Sequence, residues 1–285
     1  MTYSCFDVTT TDHIAHIQLN RPERRNSMIP EFWDELPKII DAIETSAEAR
    51  VIVLSSTGPH FTSGLDTSVF GSSIDTRDDS LSPEKQRRLK GISLYETIAV
   101  MQKTFTCLEQ CRIPVLAAIQ GGAIGGGVDL VTACDLRYMS NDGFISIFEI
   151  NIALTADVGT FPRICKLLPE GVVKELGFTG RRMGADEAKR LGFVNEVFDS
   201  HEALLEGVMN VAAQIASKAP LAIYGTKQII NYAADHSVAD TLDYIGVWNA
   251  SMLQHDEIQE AMSASKDKRP GDFVDLPPRK QKLSN

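Results

Sequence analysis

An α/β fold of alternating strands and helices is predicted by three features of this 285-residue sequence. Residues 50–55 and 114–119 are short β-branched or apolar runs, as expected of strands covered on both faces. Residues 29–46 and 93–111 repeat apolar side chains at helical spacing. A glycine run at 121–127 follows the second strand, so the order is strand, loop, helix, strand, loop, as in layered α/β architectures.

Taken in order, residues 13–19 read as a strand through Ile14, Ile17 and Leu19, stopped by Asn20-Arg21-Pro22, where proline removes a ladder donor. The helix at 29–46 places Phe32, Leu36, Ile39, Ile40 and Ile43 on one face. The strand at 50–55 feeds a loop at 56–66. The polar stretch 71–90 has little to bury and reads as a surface excursion, a pocket wall leading into the helix at 93–111, which stops before Pro114. Beyond the glycine run come a helix start at 128–132, short strands at 135–139 and 144–148, and a helix at 158–168. Residues 186–191, 202–218, 220–234 and 238–264 are all helical in spacing, whereas 272–285 read as loose or packed on a neighbour. One domain over 1–285 is expected, with a core to about residue 200 and a helical region after it.

The net charge of -10 argues against a general nucleic-acid binder, because phosphate affinity needs clustered Lys and Arg. No apolar run approaches the roughly 18 residues of a membrane span. The cysteines, Cys5, Cys107, Cys111, Cys134 and Cys165, form no CxxC pair and no metal spacing, and read as free thiols. None of the histidines stands at metal-ligand spacing, and His60, the nearest to a candidate loop, reads as a surface or core residue. Residues 1–11 lack signal or transit character, and the order of Lys282-Leu283-Ser284 is wrong for a peroxisomal tail. The expectation is a cytoplasmic protein with neither metal nor separate cofactor.

Two loops carry the chemistry. Phe61-Thr62-Ser63-Gly64-Leu65-Asp66 and Gly121-Gly122-Ala123-Ile124-Gly125-Gly126-Gly127-Val128-Asp129 can each bring backbone N–H groups close to a ligand. The second runs from a strand into a helix, which adds the positive end of the helix dipole. Either loop alone also fits an ordinary tight turn. Together with Asn20-Arg21-Pro22, Ala133-Cys134-Asp135-Leu136-Arg137, Phe148-Glu149-Ile150, Thr179-Gly180-Arg181, Gly184-Ala185-Asp186-Glu187-Ala188 and Gly192-Phe193-Val194, they resemble the enoyl-CoA hydratase/isomerase (crotonase) superfamily across nearly the whole chain.

The resemblance implies a spiral of ββα units closed by a C-terminal helical region, assembled as homotrimers or pairs of trimers. It also implies an oxyanion hole made by the N–H groups of Leu65 and Gly126, with Ser63, Gly64, Asp66, Thr67 and Gly127 lining the substrate. Its typical hydratases carry Glu at the positions of Asp129 and Glu149 and glycine at that of Asp157. The Asp129, Glu149, Asp157 pattern here instead looks like the superfamily's dienoyl-CoA isomerase subgroup, which turns 3,5-dienoyl-CoA into 2,4-dienoyl-CoA in fatty-acid β-oxidation. Glu149 would then serve C2 and Asp157 C6, with Asp129 tuning its neighbours.

Read singly, Asp129 fits a favourable first-turn charge, Glu149 a surface strand residue and Asp157 an N-cap. Two other readings of the whole are a hydratase, with Asp129 positioning water, and a non-catalytic acyl-CoA-binding scaffold. Asp135 and Arg137 read as a buried ion pair. Arg24, Arg25, Lys227 and a C-terminal Lys are candidate partners for the CoA phosphates, with solvated surface charge as the alternative for each.

Overall fold

The computed structural model of the chain describes residues 2–66 and 80–280. Strands β1 (Phe6–Thr11) and β2 (Ile14–Leu19) form an antiparallel hairpin closed by Asp12 and His13, both at positive φ. Such a two-residue turn matches the twist of the strands it joins. After helix α1 (Pro30–Ser46), β3 (Val51–Ser56) adds to β2 in parallel, and after the long helix α2 (Pro83–Gln110), β4 (Val115–Ile119) adds to β3.

From β4 onward the chain visits two sheets in turn. It passes through β5 (Gly122–Ile124) to helix α3 (Gly126–Thr132), returns as β6 (Leu136–Ser140), and leaves again through β7 (Phe144–Ser146). Strand β6 extends the first sheet, whereas β5 and β7 pair in a second one, completed by β8 (Met183–Gly184). Strand β9 (Glu196–Phe198) closes the first sheet, whose order is β1-β2-β3-β4-β6-β9. This stepping between two sheets is the spiral that the motifs imply.

Both faces of β3 and β4 are covered, as the uniform apolar runs predict. Ile52, Leu54, Val115 and Ala117 join the main core with Phe32, Leu36 and Phe105. Val51, Val53, Leu116 and Ala118 face the other way, under Leu204, Val208 and Ala212 of a later helix, residues 201–216.

Several boundaries differ from expectation. Helix α2 begins ten residues before the predicted start, inside the presumed excursion; Ser82 caps it by accepting Lys85 N–H, with Pro83 at its first position. Exposed Leu89, Ile92 and Tyr95 conceal this half from a search for an amphipathic stripe. The helix predicted over 158–168 is only α4 (Thr160–Ile164), because Gly159 at φ 132° breaks the entry. Helix α5 (Glu170–Thr179) has no counterpart in the sequence reading. Helix α6 (Ala185–Arg190) precedes β9, α7 is His201–Ala216, and α8 is Pro220–Ala233. The stretch predicted as one helix over 238–264 is two, α9 (Val238–Met252) and α10 (His255–Asp267), separated by extended Leu253 and Gln254.

The tail to residue 280 is not loose: it is bonded to the body of its own chain. Arg50 donates to Asp275 Oδ1 at 2.6 Å and to Phe273 O at 2.9 Å, Arg112 donates to Pro277 O, and Arg279 pairs with buried Glu44. Among the described residues, no helix is long and apolar enough to cross a membrane.

Candidate active site

The loop after β3 lies against β5. Thr62 N–H donates to Gly122 O at 3.0 Å and Ile124 N–H to Thr62 O at 3.1 Å, a parallel bridge between Thr62 and Ala123. On its other edge, Met28 N–H donates to Gly64 O and Asp66 N–H to Met28 O, which leaves Leu65 N–H facing the opposite way. Gly64 sits at φ 82°, and a side chain there would stand 2.5 Å from Ile124 O and 3.2 Å from Gly126 N. Only glycine meets both demands, the positive φ and the close approach. A Cβ on Gly126 would lie 3.8 Å from Leu65 N, so the two amides are neighbours. Among the described residues, neither N–H has an acceptor.

The remaining loop residues split between scaffold and surface. Ser63 N–H donates to Arg25 O, and Asp66 accepts Ser27 Oγ at 2.8 Å. Gly127 is buried behind the loop, where a Cβ would stand 2.7 Å from Thr62 Cγ2. Thr67 lies outside the described residues.

Glu149 does not extend a strand. Strand β7 ends at Ser146 because its partner β5 ends at Ile124, where Gly125 at φ 54° turns the chain into α3. The chain then winds into a 3-10 turn, Phe148–Ile152, that carries Glu149 beside that glycine. Glu149 Oε1 lies 3.2 Å from where a Gly125 Cβ would stand, and Oε2 is buried with no hydrogen-bond partner among the described residues. Burial pushes this carboxyl up to about 7, with Asp129 and Asp157 adding to the rise.

Asp129, in the first turn of α3, is 1% exposed, and its Oδ1 accepts the backbone N–H of Thr160 at 2.6 Å. Burial pushes it up to about 6 even though Thr160 opposes the shift, and Asp157 adds to the rise. Asp157 is partly buried and also raised by burial. It is not an N-cap: Gly159 precedes α4, and the N–H of Thr160 is satisfied by Asp129 instead. The segment carrying Asp157 is held from outside by Gln102 Nε2, which donates to Asp157 O at 2.7 Å, and by Arg163, bonded to Gly159 O and Glu109. Thus Asp129, Glu149 and Asp157 form one cluster, in which Asp129 senses the charge of Asp157 and Glu149 that of both.

Two readings of charged residues are corrected. Asp135 is paired with Lys227, at 2.7 Å, rather than with Arg137. Arg137 is also buried, but it donates to Phe193 O and Cys134 O and stacks over the Phe193 ring. Lys227 Nζ is fully engaged by Asp135, Leu108 O and Ile113 O, which removes it as a CoA-phosphate partner. The five cysteines are free thiols.

With this geometry in place, a family profile described as enoyl-CoA hydratase/isomerase matches residues 9–276. The chain belongs to the enoyl-CoA hydratase/isomerase family. Among members of this family, the mitochondrial Delta(3,5)-Delta(2,4)-dienoyl-CoA isomerase of Mus musculus is 42% identical over 94% of this chain and 81% of its own length. The peroxisomal enzyme of the same name from Arabidopsis thaliana is 41% identical over 94% of this chain and 95% of its own. The crystal structure of an enoyl-CoA hydratase from Bacillus anthracis superimposes with a TM-score of 0.83 at 28% identity, covering 95% of this chain and 99% of that one. The fold is therefore the crotonase fold of that family.

Sequence reasoning missed the contact that organises the cluster. Thr160 meets Asp129 across 31 positions of sequence, and no local pattern marks it.

Proposed function

We propose that the protein is an isomerase that converts 3,5-dienoyl-CoA into 2,4-dienoyl-CoA in fatty-acid β-oxidation. The observation that carries this reading is the cluster of Glu149, Asp129 and Asp157 beside two amides that have no acceptor among the described residues. The thioester oxygen accepts Leu65 N–H and Gly126 N–H, which favours negative charge on that oxygen. Glu149 carboxylate removes a proton from C2, and the electron pair spreads through a trienolate that reaches C6. Asp157 in its acid form returns a proton at C6, so the double bonds move from C3 and C5 to C2 and C4. Glu149 ends protonated and Asp157 ionised, and proton exchange within the cluster or with solvent resets the pair.

Asp129 acts on its neighbours rather than on substrate. Its carboxylate is buried and engaged with Thr160 N–H, a poor arrangement for presenting water to C3, and this weighs against the hydratase reading. Curated relatives named dienoyl-CoA isomerases, at about 41% identity, favour the same choice. Ser63, Gly64, Asp66 and Thr67 are assigned to the substrate's surroundings, whereas Gly127, buried against Thr62, is assigned to the support of the loop. The exposed Arg24 and Arg25, next to the Ser63 loop, are assigned to the CoA phosphates, and CoA arrives with the substrate, so no separate cofactor is required.

A homotrimer or pair of trimers fits the C-terminal helices. Helix α9 buries none of its residues and exposes Val238, Leu242 and Val247, which sedimentation of the purified chain would test. The cytoplasm is the proposed compartment, and cell fractionation tests it against the mitochondrial and peroxisomal names of the relatives.

Incubation with 3,5-dienoyl-CoA and, separately, with a 2-enoyl-CoA tests the activity. Absorbance that grows at longer wavelength, as the diene comes into conjugation with the thioester carbonyl, supports it. Hydration of the 2-enoyl thioester alone, or silence with both, refutes it.

A further inference from the structure

We propose that His60 is a positioning residue whose imidazole keeps the two loops of the oxyanion hole in register. The inference rests on the assignment of Leu65 and Gly126 as carbonyl donors. Around the Thr62–Ala123 bridge, the bonds Thr62 N–H to Gly122 O and Ile124 N–H to Thr62 O are those of a parallel ladder. The next bond in that series would run from Gly122 N–H to the main-chain carbonyl of His60. That carbonyl is turned elsewhere, accepting Asn26 Nδ2 at 3.1 Å and Ser56 Oγ at 3.2 Å. The side chain takes its place: His60 Nδ1 accepts Gly122 N–H at 3.0 Å.

The tautomer follows from the partner. A backbone N–H can only donate, so Nδ1 carries no proton and the neutral ring holds its hydrogen on Nε2. Phe144, paired with Gly122 across β5 and β7, meets the ring edge-on with centroids 6.3 Å apart. The charged groups that bear on the ring are Arg25, Arg182 and Asp142. Burial and the two arginines lower the imidazole pKa, and Asp142 opposes them. The imidazole thus stays an acceptor at neutral pH, when a donor is what it must meet.

The consequence for catalysis is geometric. The ladder fixes the offset between a loop that ends in Leu65 and a strand that leads to Gly126, and two amides can share one oxygen only at one offset. Without the Nδ1 acceptor, Gly122 N–H loses its partner, and the bond between Phe61 N–H and Gln120 O and those around Thr62 must hold the offset alone. Protonation of His60 has the same effect, because two N–H donors then face each other.

Isotope-edited infrared spectroscopy of bound 2,4-dienoyl-CoA, labelled with carbon-13 at the thioester carbonyl, reads the hole without turnover. In the wild-type protein the carbonyl stretch moves to lower frequency on binding. His60→Ala is expected to lose about half of that displacement or more, with kcat down about tenfold and KM within about threefold. His60→Asn, whose Oδ1 accepts the same N–H, restores most of both. A displacement in the wild type that is unchanged in His60→Ala overturns the role of His60 alone; no displacement in the wild type overturns the oxyanion assignment with it. Should the alanine variant not fold, nitrogen-15 shifts of the wild-type ring decide. Unprotonated Nδ1 at neutral pH, with a midpoint below that of an ordinary histidine, supports the proposal, and protonated Nδ1 refutes it.

Discussion

The Asp129 carboxylate accepts the backbone N–H of Thr160 at 2.6 Å, which ties the first turn of α3 to the residue that starts α4, three positions beyond Asp157. One bond thereby sets the distance between the glycine loop and the acid assigned to C6. Asp129→Asn keeps an acceptor in place and removes the charge, whereas Asp129→Ala strands a buried N–H at a cost of about 1–3 kcal/mol. Thermal unfolding should therefore separate them, with alanine the less stable and asparagine near the wild type.

The base role assigned to Glu149 requires its ionised form, and its carboxyl is pushed up to about 7. The acid limb of kcat/KM is expected to fall away below about pH 7 rather than in the ordinary carboxylate range. In Asp129→Asn, a neighbouring negative charge is gone, so this limb should move to lower pH. A limb that stays in place when Asp129 is neutral would count against coupling between the two acids.

Glu149→Gln should lower kcat by about 10²–10⁴, the range for losing a positioned acid or base. Stability should move the other way. A carboxyl whose folded value is raised favours the fold while protonated, and that contribution disappears as pH rises from its ordinary 4.5 through about 7. The glutamine variant lacks this loss, so at pH 8 it should unfold at a higher temperature than the wild type, with the gap closing towards pH 4.5. Scanning calorimetry at the two pH values checks the sign.

Asp157→Asn should separate the two proton transfers. With Glu149 and the amide donors intact, exchange of the C2 hydrogens with deuterated water persists, while diene migration falls by about 10²-fold or more. Proton NMR of 3,5-dienoyl-CoA in deuterated buffer reports both, and loss of C2 exchange along with migration would contradict the division of labour.

Lys227→Met should cost up to about 3–5 kcal/mol, because it leaves the partly buried Asp135 carboxylate without its cation. Coenzyme A affinity of the folded fraction should be unchanged. A CoA-specific loss with normal thermal stability would return Lys227 to the phosphate site.

Much of the frame was legible because it is local. The runs at β3 and β4 announce strands covered on both faces, and Phe32, Leu36, Ile39, Ile40 and Ile43 announce the buried stripe of α1. Strand β5 was invisible for the opposite reason: Gly122–Ile124 holds a strand only because Thr62 and β7 flank it, and glycine carries no strand preference of its own. The same dependence ended β7 at Ser146 and moved Glu149 into a 3-10 turn.

Sequence alone determined which side chains are acidic, where glycine permits close approach, and the order in which these features occur, because those properties belong to single residues and their near neighbours. The tertiary structure decided who meets whom. Asp129 caps Thr160, Lys227 neutralises Asp135, and His60 lends a ring nitrogen to Gly122, each contact spanning dozens of positions. Such contacts form where buried donors and acceptors must find partners once the sheets and helices have packed, and only the packed chain determines which partners are within reach.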